Sequence, residues 1–218
     1  MRTALASLVL VAGLTTAAQA QTPAPTTPAP TTPSPATAAP AAPAPAAPAA
    51  AAPAEPPPTL PTSGDGAQIL QAIEKVCIPA VRGQGIDAAA KAAGLKQNRR
   101  DGTWSTPLAS GRDYAIIIQP QFSQANVCQA EVHYAVGQDK PIISALNIWA
   151  FLQDPKLVLQ ANYVNVDADG VKRIRKSWEH VEASGASRAV NFSIQRKPDD
   201  TPLNAKFDTG MLFYQERK

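Results

Sequence analysis

The chain has two cysteines, Cys77 and Cys128, and two histidines, His133 and His180. A catalytic cysteine needs a reduced thiol and a nearby base, which one of these histidines would have to supply. The N-terminal residues predict export, however, and in an oxidising compartment an even number of cysteines indicates a disulfide. We therefore predict a disulfide between Cys77 and Cys128 and no thiol catalysis.

No spacing of histidines or serines matches a metal-binding or catalytic motif. The two histidines fall in separate predicted strands, whereas a zinc site needs three or four converging ligands. No serine lies in Gly-x-Ser-x-Gly or begins Ser-x-x-Lys, the motifs of serine hydrolases and wall-active acyl enzymes. The acidic residues Glu131, Glu179 and Glu182 are scattered, and a carboxylate pair cannot be recognised from sequence. The sequence thus predicts no metal site, no cofactor and no catalytic residue.

The segment Asn165-Val166-Asp167-Ala168-Asp169-Gly170 is similar to the first half of a calcium-binding loop. The twelfth position, where such a loop has a bidentate Glu, is Lys176, and a cation there repels calcium. An Asp-Gly pair between two strand-like runs favours a two-residue type I′ turn, in which both central residues need a positive φ. We therefore interpret the segment as a hairpin turn without calcium.

The dense basic run Lys172–Lys176 is followed closely by Trp178. On a strand, Arg173 and Arg175 share one face, while the lysines share the other face with Trp178. One interpretation is a cationic binding strip formed by Arg173, Arg175 and Trp178, which would take an anionic glycan, a lipid head group or a nucleic acid. The other, which we favour, is a charged edge strand that prevents association with other sheets.

The chain divides into three parts by composition. Residues 1–20 have an Arg, an apolar core and a small-residue end, which predict a signal peptide cleaved after Ala20. The apolar core is shorter than the roughly 20 residues of a membrane span, so we expect no transmembrane segment after cleavage. Residues 21–62 hold 15 of the chain's 22 prolines and predict a disordered Pro/Ala/Thr-rich linker. Residues 63–218 form a single domain, in which Lys and Arg outnumber Asp and Glu by 19 to 16. This mild excess gives no reason to expect a nucleic-acid partner.

Residues 157–214 predict four antiparallel strands, because apolar and polar side chains alternate between turn-like segments. Ahead of them, Asp65 and Gln68 have the spacing of a capping box that begins a first helix. A later helix, opened by Asp139, presents an apolar face formed by Ile142, Leu146, Trp149 and Leu152. A short Ala-rich helix, a hairpin and two further strands lie between these two helices. The predicted fold class is α+β, with helices on one face of a largely antiparallel sheet that ends in a four-stranded meander.

Export, a long spacer and the missing catalytic motifs favour a non-enzymatic binding protein of the cell envelope, periplasmic or secreted, whose partner is an envelope protein or a wall glycan. Two other classes stay open: an envelope hydrolase with a carboxylate pair assembled in space, and a carrier of a small lipophilic ligand. A cleft with two close acids would favour the hydrolase, and an enclosed apolar pocket would favour the carrier. A flat, partly apolar surface would favour the binding protein. The oligomeric state does not follow from the sequence.

Overall fold

A computed structural model of the chain describes residues 57–120 and 125–218. Within these ranges the strands are β1 (Lys96–Gln97), β2 (Trp104–Leu108), β3 (Gly111–Ile118), β4 (Val127–Tyr134), β5 (Val158–Val166), β6 (Lys172–Val181), β7 (Ser187–Arg196) and β8 (Asp208–Arg217). The α-helices are α1 (Gly64–Ala72), α2 (Ile86–Ala92) and α3 (Asp139–Phe151). The fold is therefore α+β. The predicted signal peptide and nearly all of the predicted linker lie outside the described residues.

All eight strands belong to one antiparallel sheet, in the order β1-β2-β3-β4-β8-β7-β6-β5. The last four strands are consecutive neighbours, which confirms the predicted meander. The meander is joined to the rest of the sheet because β8 pairs with β4, from Val127 opposite Gln215 to Tyr134 opposite Asp208. The sheet therefore ends at β1 on one side and at β5 on the other.

The three turns of the meander share one geometry. In each turn, a residue of positive φ donates its backbone N–H to the carbonyl three residues earlier, and these residues are Gly170, Gly185 and Asp200. Such a loop is a type I turn followed by one left-handed residue. The predicted type I′ turn at Asp169-Gly170 is wrong, because only the glycine of that pair has a positive φ.

The predicted capping box of the first helix is also wrong. α1 begins at Gly64 with Ser63 as its N-cap, so Asp65 lies inside the first turn. Its carboxylate accepts hydrogen bonds from the backbone N–H and the hydroxyl of Ser110, at 3.0 and 2.7 Å. Asp65 therefore ties α1 to the turn between β2 and β3, a contact that local spacing cannot predict.

α1 and α3 lie close together on one face of the sheet. A Cβ atom at Gly66 would lie 2.7 Å from the Cβ of Ala145, so this approach depends on glycine. The predicted apolar face of α3 is confirmed for the buried residues Ile142, Leu146 and Trp149. It is wrong for Leu152, which is 44% exposed because the helix ends just before it.

The chain leaves α1 through two π-helical turns, Ile73–Cys77 and Ala80–Gln84. Pro79 lies between them in helical geometry, with φ −58° and ψ −41°. Proline has no N–H for the helical ladder, and its ring displaces the preceding turn, which favours this widened winding. The two turns place Cys77 against β4 and Arg82 against the end of β8. None of the helices in the described ranges is both long and apolar enough to cross a membrane.

Candidate functional site: the open edge of the sheet

The sheet ends in two very different edge strands. β1 has two residues, Lys96 and Gln97, and both are polar. β5 has nine residues and no charged side chain. Edge strands carry unpaired backbone N–H and C=O groups, and proteins commonly protect them by short length, charge, proline or a bulge. Short length protects β1, whereas β5 offers a long backbone edge.

Apolar side chains of β5 are exposed on both faces of the sheet. They are Leu159, Val164 and Val166 toward the helices, and Val158 and Tyr163 on the opposite face. A register shift just after Leu159 marks a bulge, which twists the start of the strand. The segment Ala161–Val166 beyond the bulge pairs regularly with β6, and no other strand of the described ranges pairs with its outer side.

A groove of about 470 Å³ lies between the end of α3 and the start of β5. Its lining includes Phe151, Leu159 and Trp178. The indole N–H of Trp178 donates to the Oδ1 of Asn147 at 3.0 Å, which fixes the ring. The ammonium of Lys156 lies 4.2 Å from the centre of the exposed Phe151 ring, a cation–π contact. Together, this groove and the exposed side chains of β5 form a continuous, partly apolar area, termed here the β5 surface.

The predicted basic strip is neutralised by carboxylates of its own hairpin. Arg173 contacts both Asp167 and Asp169 at 2.6 Å, and Arg175 contacts Asp167 at 2.6 Å. Hydrogen bonds from Arg173 and from the backbone N–H of Val171 lower the pKa of Asp169 to about 2. Asp167 and Asp169, whose spacing is similar to that of calcium ligands, therefore form ion pairs with arginines instead.

The three predicted binding residues do not share a surface. Trp178 lies on the helix side of β6 and is 2% exposed, whereas Arg173 and Arg175 lie on the opposite side. The interpretation of this run as a charged edge strand is wrong, because β6 lies between β5 and β7. Binding of an anionic polymer by Arg173, Arg175 and Trp178 stays a prediction.

Cys77 and Cys128 form the predicted disulfide, with their Cα atoms 5.2 Å apart. The bond joins the first π-helical turn to β4, and both residues are buried. A cysteine in a disulfide offers no thiolate, so neither residue is available as a nucleophile or a metal ligand.

The described ranges contain no group of three or more His, Cys, Asp or Glu side chains placed to hold a metal ion. Two acids, Asp101 and Glu131, line a groove of about 580 Å³. Hydrogen bonds from the backbone N–H and the hydroxyl of Thr103 lower the pKa of Asp101. Glu131 contacts the Nε2 atom of His133 at 2.6 Å. A glycosidase acid needs a raised pKa, so the environment of Asp101 favours the opposite protonation state.

The interface between helices and sheet is occupied by large side chains where a lipophilic-ligand carrier would need space. Its largest buried members are Trp149, Trp178, Tyr134, Tyr214 and Phe192, each exposed by 2% or less. The apolar groove beside β5 opens at the surface instead. A groove that opens at the surface, beside an interior filled by side chains, favours a binding surface over an enclosed ligand pocket.

Comparison with known proteins found no matching family model, no matching curated protein and no matching solved structure. The function therefore has to be argued from the chain itself. Sequence reasoning missed the β5 surface, although one signal was present: no residue from Val158 to Val166 carries a charge. That signal gains meaning only when the strand is known to lie at an edge.

Proposed function

We propose that the protein is an exported, non-enzymatic binding protein of the cell envelope, and that its partner protein adds an extended segment to β5. The observation that carries this proposal is a nine-residue, uncharged edge strand with exposed apolar side chains. The disulfide supports export, because such bonds persist in oxidising compartments. The composition of residues 1–20 supports export independently.

Strand addition follows from the backbone of β5. The six residues Ala161–Val166 beyond the bulge span about 20 Å, and an added strand gains affinity from main-chain hydrogen bonds along that length. Specificity comes from side chains that alternate between the two faces. A partner side chain on the helix face would contact Val164, and its neighbour would contact Tyr163 on the opposite face. The partner segment should therefore have apolar residues on both faces, and no proline or charge at its centre.

A protein segment suits this surface better than a wall glycan does. Sugar hydroxyls that lose water need hydrogen-bond partners, and an unpaired buried polar group costs about 1–3 kcal/mol. Four of the seven exposed side chains of β5 are Val158, Leu159, Val164 and Val166, which offer no such partner. Only Gln160, Asn162 and Tyr163 offer one, and Asn162 already accepts a hydrogen bond from Lys176. Apolar side chains on an extended peptide would lose nothing by the same contact and would release water from both surfaces.

Site-specific photocrosslinking in cells that produce the full chain tests the proposal. A photoreactive amino acid is placed at Val164 or, as a matched control, at Val136, because these residues are 55% and 53% exposed. We expect Val164 to yield one defined protein adduct, with the crosslink in an extended apolar segment of that protein, and Val136 to yield none. Tyr163→Lys should weaken the adduct, because a charged side chain on an edge strand disfavours the addition of another strand.

Two outcomes would contradict the proposal. Equal adducts at Val164 and Val136 would mean that contact is unselective. An adduct at Val164 that a glycan-cleaving enzyme removes would indicate a wall glycan as the partner and would exclude strand addition.

A further inference from the structure

The structure contains a second groove, of about 460 Å³, at the end of the sheet where β6 and β7 meet. The cross-strand register places His180 opposite Arg188, and Arg188 opposite Glu216. Arg82, from the second π-helical turn, also lines this groove. Arg217 lies opposite Ser187 on the other face of the sheet and reaches the groove at the end of the strands. Residues that are far apart in sequence thus form one charged concave surface.

One cation of the groove, Arg82, forms an ion pair with a carboxylate of the groove itself, that of Glu216. The guanidinium of Arg82 donates two hydrogen bonds to the Oε1 of Glu216, from Nε at 3.0 Å and from NH2 at 2.8 Å. The hydroxyl of Tyr214 donates to the same carboxylate at 2.5 Å. Desolvation alone would raise the pKa of Glu216, but the hydrogen bonds from Arg82 and Tyr214 outweigh it, and the pKa is lowered. Glu216 is therefore an ionised group committed to Arg82.

The other cations of the groove have no carboxylate partner among the described residues. Arg188 donates to a neutral acceptor, the carbonyl of Pro155, at 2.8 Å, and it lies near enough to Glu216 to help lower that pKa without an ion pair. Arg217 and Lys218 form no ion pair within the described ranges. The remaining acid of the lining, Glu182, is exposed.

This distribution differs from the one that the sequence suggests. In the dense basic run and beside it, Lys172, Arg173, Arg175 and Arg196 each contact a carboxylate within 3.4 Å, and Lys176 donates to the side-chain oxygen of Asn162. Cations without a carboxylate partner lie together at the opposite end of β6 and β7. Anions are attracted where low-dielectric walls and unpaired cations coincide.

We propose that the groove holding Arg188 and Arg217 binds a phosphate group, on either a soluble phosphomonoester or a lipid head group. A guanidinium presents parallel N–H donors that fit two phosphate oxygens, and the double charge of a phosphomonoester suits several cations. His180 and the hydroxyl of Ser187 lie in the same lining and offer further donors. This site is separate from the β5 surface, so its failure would leave strand addition untouched.

Calorimetric titration of the full chain tests the proposal with three probes: inorganic phosphate, glycerol 3-phosphate, and vesicles that contain phosphatidic acid. Arg188→Gln with Arg217→Gln should weaken binding by about tenfold or more, because charge-assisted hydrogen bonds are lost. Lys91→Gln with Lys140→Gln removes the same charge from exposed positions elsewhere and should change binding less than about twofold.

Arg217→Gln alone separates binding from folding, because the Arg217 side chain forms no hydrogen bond or ion pair within the described ranges. It should weaken phosphate binding and leave the melting temperature unchanged. Binding of the soluble probes would identify a small phosphorylated ligand, and binding of vesicles alone would identify a lipid head group. Equal weakening by the groove variant and the lysine control would overturn the proposal, as would the absence of saturable binding of every probe up to about 10 mM phosphate.

Discussion

Loss of the Cys77–Cys128 disulfide should lower the free energy of unfolding by about 4 kcal/mol. The bond joins residues that are 51 positions apart. For a loop of that length the chain-entropy relation gives roughly 14 cal/mol/K, or about 4 kcal/mol at 25 °C. Single domains have about 5–15 kcal/mol of stability in all, so the reduced protein should be marginally folded. The melting temperature should fall by roughly 8–16 °C.

Urea denaturation of the full chain, with and without a reducing agent, measures this loss. Tryptophan fluorescence reports the transition, because Trp149 and Trp178 are buried in the core. The reduced wild-type protein keeps both sulfur atoms and so isolates the cross-link. Replacing both cysteines with alanine should cost somewhat more, since a cavity is added. If reduction changes the free energy by less than about 1 kcal/mol at constant m-value, the loop-closure reasoning is refuted.

Three further predictions concern single side chains. Gly66→Ala should destabilise the fold by about 1–3 kcal/mol despite the better helix propensity of alanine, because the new methyl group would clash with Ala145. A second substitution in the same chain, Ala145→Gly, should recover part of this loss in a urea titration. Asp65→Ala should cost about 1–3 kcal/mol in the same assay, because two hydrogen bonds from Ser110 to a carboxylate are lost. The pKa of Asp169 is lowered to about 2 by Arg173, so its contribution to stability is fully present above the unfolded-state value of about 4 and is lost as pH falls toward 2. Asp169→Asn should flatten the stability profile in that window, and an unchanged profile from pH 4 to 2 would mean that the contact does not form in solution.

Most secondary structure was predictable, because strand and helix periodicity are local properties. The alternation of apolar and polar residues in residues 157–214 located all four strands of the meander. The disulfide was predictable for a different reason, since two cysteines in a chain that is predicted to be exported have only each other as partners. Local spacing failed where a side chain has a distant partner, as at Asp65, whose acceptor role depends on the turn between β2 and β3.

The candidate surfaces were less predictable, because the sequence does not show which charged side chains are neutralised by other side chains in the fold. The arginines of β6 were the obvious candidates for binding anions, yet Asp167 and Asp169 neutralise them. Arg188 lies between neutral residues, and Arg217 lies between Glu216 and Lys218, so neither belongs to a dense basic run. They become a candidate site only because both line one groove at the end of β7 and β8.

By itself the sequence determined the α+β class, the strands of the meander and the pairing of its two cysteines, since these follow from short-range periodicity and from simple counting. Only the tertiary structure decided that β8 pairs with β4, and that β5 is consequently left at the edge of the sheet. The physical reason is that strand formation depends on neighbouring residues, whereas strand order depends on which distant segments bury each other's apolar faces. An uncharged strand from Val158 to Val166 would be ordinary in the middle of a sheet, and it becomes a candidate binding surface because nothing in the described chain pairs with its outer side.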